Sequence, residues 1–235
     1  MAFYEGVRAD FGSLRRELDQ IERTYTMNRL TYLSRKRNTP DERVDDPNER
    51  LYYRIRDMYN GVRRPRYSAA MLYFFINKTA YSGMIRYNAS GEFNVPYGHY
   101  PTLNTTGVTM AHQSLLASAK VYNLDYHAVF AKAEPDDFMF LDPPYDCIFS
   151  DYGNAEHKDG FNEKNHRDLA AAFRALPCKA LMVIGKTPLT QELYADAIVD
   201  TYAKAYAVNI RNRFKSSATH LVVTNYPTPA KQSKK

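Results

Sequence analysis

Apolar side chains at Phe11, Leu14, Leu18, Ile21 and Tyr25 recur at three- and four-residue steps, the period of a helix that buries one face, and Asp10 stands where an N-cap belongs. The charge-rich stretch from Arg35 to Arg50, broken by Pro40 and Pro47, reads as a loop. Helical spacing returns over 50–60 and 67–81, with Gly61 between the two. From Tyr87 to Gly107 the turn formers Asn88, Gly91, Asn94, Pro96, Gly98, Pro101 and Asn104 predict a long turn-rich segment or hairpin.

After Ala111 the pattern changes to short apolar runs alternating with helical segments. It predicts a helix over 112–120, a short strand near Val121 to Leu124, and a strand from Phe138 to Leu141. A mobile loop over 151–160 and a helix over 163–175 follow, then a buried strand over 180–184 and a helix over 189–195. Strands over 198–208 and 220–224 close the chain. Such alternation favours a parallel α/β sheet. The expected division is a mainly helical region over 1–108 with a hairpin at about 82–101, an α/β region over 109–228, and a basic flexible tail over 229–235.

Composition narrows the function classes. No apolar run approaches the roughly 18 residues of a membrane-spanning helix, and the start, Met1-Ala2-Phe3-Tyr4-Glu5, lacks the regions of a signal peptide, so the chain reads as soluble and cytoplasmic. Cys147 and Cys178 form no metal or disulfide spacing, His99 and His220 have no partner spacing for a metal, and no metal site is expected. The net charge of +6 is unevenly spread: Arg50, Arg54, Arg56, Arg63, Arg64 and Arg66 interleave with Tyr52, Tyr53 and Tyr59. That stretch suits phosphate neutralisation and equally suits a solvated helix face.

The chemistry concentrates at Asp142-Pro143-Pro144-Tyr145, directly after the apolar run Phe138 to Leu141. An exocyclic base amine is a poor nucleophile because its lone pair is delocalised into the ring, so a site for it needs hydrogen-bond acceptors. An ionised Asp142 only accepts, and neither proline carries an N–H to compete. Tyr145 offers a face on which an extruded base can stack, worth about 1–3 kcal/mol against an extrusion cost of a few kcal/mol. The motif falls at the carboxyl end of a strand, where open α/β sheets bind ligands. Asp-Pro and Pro-Pro pairs also make ordinary turns.

Two segments together resemble the Dam-type (alpha-group, D12-class) adenine-N6 DNA methyltransferases: Phe138 to Tyr145, and Tyr81-Ser82-Gly83-Met84-Ile85-Arg86-Tyr87-Asn88 with Gly91-Glu92-Phe93-Asn94-Val95-Pro96-Tyr97-Gly98. Weaker echoes are Asn123 to Tyr126, Asn165-His166 with Leu169, and Leu221 to Tyr226. The resemblance implies a Rossmann-like class I methyltransferase sheet with a mainly helical target-recognition domain bearing a β-hairpin, S-adenosylmethionine as cofactor, and double-stranded DNA as partner. Carried over residue by residue, Asp142, Pro143, Pro144 and Tyr145 hold a flipped adenine, and Asp125, Tyr126 and Asp142 lie near the cofactor. Tyr81 matches an aromatic wedge; Ser82, Met84, Arg86, Asn88 and Pro96 match DNA-contacting positions, with Arg86 suited to read a guanine edge or to meet a phosphate. Relatives commonly carry asparagine where this chain has Ser82. Asp125 suits a turn cap as well.

One feature of the family is absent. Relatives begin with a strand, a Phe-x-Gly-x-Gly turn and an acidic residue for the cofactor ribose, whereas here no two glycines are separated by one residue. The sheet is therefore expected to be truncated at its N-terminal side, leaving central strands unpaired on one side, and three explanations fit: a split enzyme whose second chain supplies the cofactor motif, a gene fragment or misassigned start, and a degenerate protein that binds DNA without methylating it. The alternatives are a catalytically inactive DNA-binding remnant or subunit and an RNA adenine methyltransferase.

Overall fold

A computed structural model describes residues 1–146, 161–205 and 217–228. The chain packs as two compact units, Met1–Asn123 and Leu124–Lys235.

The first unit is helical. Asp10 caps α2 (Phe11–Asn38) by accepting from the Ser13 amide at 2.9 Å, and a further helix, α1 (Ala2–Ala9), precedes it. Phe11, Leu14, Leu18, Ile21 and Tyr25 are all buried, as their spacing predicts, each large apolar side chain contributing about 1.5–3 kcal/mol. The helix runs past Arg35 into the segment expected to be a loop, because arginine and lysine are good helix formers and suit the negative end of the helix dipole. Pro40 lies just beyond its end. Pro47 opens α3 (Pro47–Tyr59) at a position that needs no N–H, with Asp46 accepting from Asn48 at 2.9 Å.

The central element is α4 (Ala69–Thr79), capped by Ser68 and apolar on nearly every side, with Met71, Leu72, Phe74, Phe75 and Ile76 buried. α1 lies so close to it that a Cβ on Gly6 would sit 2.4 Å from the Ala70 Cβ. α5 (Met110–Ala117) closes the unit against α1. Arg15 ties the connecting segment to α2 by donating to the carbonyls of Thr105 at 2.7 Å and Val108 at 3.2 Å.

In the second unit a short helix α6 (Tyr126–Phe130) precedes β1 (Phe138–Leu141), α7 (Glu163–Arg174), β2 (Lys179–Gly185), α8 (Pro188–Leu193), β3 (Ile198–Ala205) and β4 (Ser217–Thr224). The strands order as β1-β2-β4-β3. Only β1 and β2 run parallel; β2–β4 and β3–β4 are antiparallel, so the sheet is mixed rather than the parallel one the alternation suggested. Residues 206–216 are fewer than the dozen or more that a parallel crossover requires. The strand expected near Val121 to Leu124 is absent: 121–125 carry no regular structure, and 122–124 are exposed. The expected loop at 151–160, Cys147, the end of the strand expected to reach 208, and the tail lie outside the described residues.

One face of the sheet packs Ala180, Met182, Ile184, Leu221 and Val223 against Leu169, Ala170 and Phe173 of α7 and against Tyr194. Met139 and Leu141 join this core, while Phe138 and Phe140, on the other face, remain 58% and 65% exposed. Among the described residues β1 pairs with β2 alone, so its outer edge carries no strand. No helix of the described residues is long and apolar enough to cross a membrane.

Candidate active site and nucleic-acid interface

β1 delivers Asp142 to the carboxyl edge of the sheet, where its side chain is exposed and accepts from the Tyr145 hydroxyl at 3.3 Å. Pro143, Pro144 and Tyr145 are half-buried. The Tyr145 ring meets buried His220 of β4 edge-on at 5.3 Å, and His220 in turn stacks on Tyr202 of β3 at 5.2 Å. Gly185 ends β2 beneath the motif: a Cβ there would lie 3.7 Å from the Tyr145 ring. The next residue, Asp146, is fixed by the Thr187 hydroxyl at 2.6 Å. Thr187 caps α8 through Thr190, whose own hydroxyl donates to the Gly185 carbonyl at 2.8 Å.

The motif is thus braced from three elements, none of which its own sequence announces. Asp146, Thr187 and His220 were not singled out as site residues from sequence; a threonine two residues after a strand-ending glycine was the available signal.

Of the residues matched to the cofactor, Asp125 is committed locally. It caps α6 by accepting from the His127 amide at 2.9 Å, and its carboxylate lies 2.8 Å from His127 Nδ1. Tyr126 is half-buried, stacked on His127 at 4.0 Å and packed on Phe130. Burial raises its phenol above the ordinary value, and the charges of Asp125 and Asp168 push the same way. His166 lies on α7, wholly buried, with Phe161 edge-on at 4.7 Å and neither ring nitrogen hydrogen-bonded among the described residues. Burial holds its pKa below the usual value, partly opposed by the charge of Asp146. Among the described residues no cluster of His, Cys, Asp and Glu could hold a metal.

The second constellation lies in the first unit. A 3-10 turn, Tyr81–Gly83, follows α4 and holds Ser82 at φ 55°, a left-handed conformation that asparagine tolerates better than most residues. The chain then folds back on itself. Asn88 and Glu92 close the tip, Arg86 and Asn94 pair across it, and the Thr79, Tyr81, Pro96 and Gly98 backbones join its base. Pairing is limited to isolated bridges at Ala80–Tyr97 and Tyr87–Phe93. Tyr81 is half exposed, Arg86, Asn88 and Pro96 are exposed, and Ser82 and Met84 are half-buried, Met84 against the core. Asn88 is occupied in shaping the tip: its carbonyl accepts from the Ser90 and Glu92 amides and its amide donates to the Glu92 carboxylate, all at 2.9–3.0 Å.

A feature invisible to motif reading holds this hairpin. Its returning strand alternates strictly, with Phe93, Val95 and Tyr97 buried, and α3 bonds it along one helical face. The Tyr52 hydroxyl donates to the Val95 carbonyl at 2.7 Å and Arg56 Nη1 reaches the same oxygen at 3.3 Å. Asn60, the C-cap of α3, clasps Phe93 twice, donating to its carbonyl at 3.0 Å and accepting from its amide at 2.9 Å. Side chains of a helix here stand in for a neighbouring strand. Arg56, one of the six arginines of the basic stretch, serves this mount and lies over the Tyr53 ring at 4.7 Å. Arg50, Arg54, Arg63, Arg64 and Arg66 are exposed. Burial pushes the Tyr52 phenol up to about 12. Tyr59 is raised as well, first by burial and then by its bond to the Tyr87 hydroxyl, 2.9 Å away.

Comparison with known proteins gives a consistent result. The model of the D12 class N6 adenine-specific DNA methyltransferases matches residues 16–210. Over 185 residues the chain is 33% identical to the Type II methyltransferase M.CviBI of Paramecium bursaria Chlorella virus NC1A, a match covering 76% of this chain and 68% of the relative. It is 28% identical over 172 residues to the DNA adenine methylase of Escherichia coli strain K12, covering 71% and 59%. It is 29% identical over 185 residues to the retron Ec67 DNA adenine methylase of Escherichia coli, covering 75% and 62%. The chain therefore spans about three-fifths to two-thirds of the length of these relatives.

Proposed function

The chain belongs to the D12 class N6 adenine-specific DNA methyltransferases, and on that premise we propose that it handles the adenine end of methyl transfer to N6 in double-stranded DNA. The observation that carries this reading is the exposed Asp142 carboxylate at the carboxyl end of β1, with the Tyr145 hydroxyl turned onto it and the Tyr145 ring braced from β4. Asp142 and the Pro143 carbonyl accept from the two N6 hydrogens of an extruded adenine, Pro144 keeps the turn free of donors, and Tyr145 supplies the stacking face. Holding the nitrogen in line with the methyl group is the main contribution such a site makes. Tyr81, Ser82, Met84, Arg86 and Pro96 form the DNA-contacting side, and Asn88 acts by shaping the tip.

S-adenosylmethionine is the methyl donor typical of the family. The residues present fit it only in part. Tyr126 and Asp142 are suited to the adenosine side, but the Asp125 carboxylate is engaged by His127 and the α6 amide. The sequence also holds no pair of glycines separated by one residue from which to build a cradle. We propose that the cradle is supplied from outside these residues, completing a class I, Rossmann-like sheet. The unpaired outer edge of β1 and the exposed Phe138 and Phe140 on its face support that reading, since unpaired strand edges and exposed apolar side chains are surfaces that proteins ordinarily cover.

The test is methylation by the assembly purified through this chain, read as N6-methyladenine by mass spectrometry. We expect product from duplex DNA and none from RNA, no product with Asp142→Ala, DNA binding retained in that variant, and no tight donor binding by the chain alone in calorimetry. Transfer by Asp142→Ala refutes the catalytic assignment. Tight donor binding by the isolated chain refutes the external cradle.

A further inference from the structure

The hairpin's reader is itself held by a second side chain. Arg86 Nε donates to Asn94 Oδ1 at 2.9 Å, while the Asn94 amide donates to the Arg86 carbonyl at 3.1 Å, so the two residues face each other across the hairpin and are joined twice. Asn94 is an unusually fixed acceptor. Its neighbours Phe93 and Val95 are 2% and 0% exposed, and their backbone groups are bonded by Asn60, Tyr52 and Arg56 of α3. Strand alternation then leaves Asn94 no choice but to point away from the core, toward Arg86.

A guanidinium can grip two acceptors either through Nε and one Nη or through both Nη groups. With Nε committed to Asn94, only the end-on fork remains, and neither Nη group has a partner among the described residues. A guanine edge presents two adjacent acceptors in the major groove, O6 and N7, matching that fork. We infer that Asn94 is a positioning residue for base discrimination, fixing Arg86 in the end-on orientation that selects guanine at one position of the DNA target. The inference rests on the reading of the hairpin as the DNA-contacting side. An arginine that must be ordered on binding loses affinity for the correct base, by roughly 2- to 12-fold for one side chain, and retains alternative side-on grips on other bases.

The test is selection from a random duplex library by the full chain, read as base preference at each position for wild type, Asn94→Ala, Arg86→Ala, the double variant and Asn94→Asp. Wild type is expected to show one guanine preference that Arg86→Ala removes. Asn94→Ala should weaken that same preference roughly 2- to 12-fold while leaving other positions unchanged. The double variant should match Arg86→Ala, because the two residues act as a unit, and Asn94→Asp, which keeps the acceptor, should restore the preference ratio. A duplex with 7-deazaguanine at the selected position should cost wild type more than Asn94→Ala. An Asn94→Ala variant with full preference, or one that loses preference elsewhere, overturns the inference alone, as does failure of Asn94→Asp to restore it. A wild-type chain without any base preference overturns the hairpin's role as well.

Discussion

Replacing Asn60 by alanine removes both bonds that hold Phe93 and leaves the rest of α3 intact. Phe93 is 2% exposed, and its backbone amide and carbonyl are the two groups Asn60 satisfies. Each intramolecular hydrogen bond contributes about 0.5–1.5 kcal/mol net, so the pair is worth about 2 kcal/mol if water reaches the vacated groups. The Tyr52 and Arg56 bonds to Val95 persist, so the loss should be local rather than global. Hydrogen exchange checks this: 2 kcal/mol corresponds to roughly 30-fold faster exchange at the Asn88 and Asn94 amides, which carry the cross-hairpin bonds. Amides in the buried half of α2 and in α4 should be unchanged. Equal acceleration throughout the first unit would show that Asn60 supports the helical core instead, and unchanged exchange at Asn88 and Asn94 would refute the idea that α3 mounts the hairpin.

Ser82→Asn should raise thermal stability by about 0.5–1 kcal/mol, because asparagine accepts the positive φ at this turn more readily; calorimetric melting reads it, and a lower melting temperature counts against the reasoning. Gly6→Ala should cost about 1–3 kcal/mol, the range for overpacking, since its Cβ would sit 2.4 Å from that of Ala70; denaturant unfolding should show Ala70→Gly recovering part of the loss, and additivity of the two would contradict the close approach. His166 has a folded pKa below its ordinary value, so the unfolded chain binds more protons as pH falls through about 6.5. Its contribution is therefore present above that pH and lost below it, at up to about 1.4 kcal/mol per pH unit. Urea titrations between pH 7.5 and 5.5 should show a shallower slope for His166→Leu than for wild type.

The helices were legible wherever burial imposes a period. Leu14, Leu18 and Ile21 announce α2, and Leu169, Ala170 and Phe173 lie on the buried face of α7. Asp142 to Tyr145 stood out because its residue types are suited to accepting from a base amine, although Asp-Pro and Pro-Pro pairs also make ordinary turns. What escaped was decided by pairing between distant segments. The antiparallel β4 between β2 and β3 depends on which strand edges meet, and a single strand's alternation does not encode its neighbour. One member of the basic stretch escaped for a similar reason: Arg56 looks like its exposed neighbours in sequence, yet its bond to the Val95 carbonyl makes it part of a mount. Asn60 stands beside Gly61 and reads as punctuation, although its amide completes the hairpin's hydrogen bonding.

The attachment of the hairpin separates what is replaceable in it from what is not. Its fixed points are the Ala80–Tyr97 bridge, the clasp on Phe93 and the bonds to Val95, all made through backbone groups and indifferent to which side chains fill the tip. Exposed Ile85, Arg86, Ala89 and Ser90 can therefore change without loosening the scaffold, whereas Met84 packs on the core, Asn88 closes the tip with its side chain and Gly91 holds a positive φ. On the proposed DNA-contacting role of the hairpin, a new target preference would be reached by exchanging these exposed side chains, while the helix beneath stays as it is.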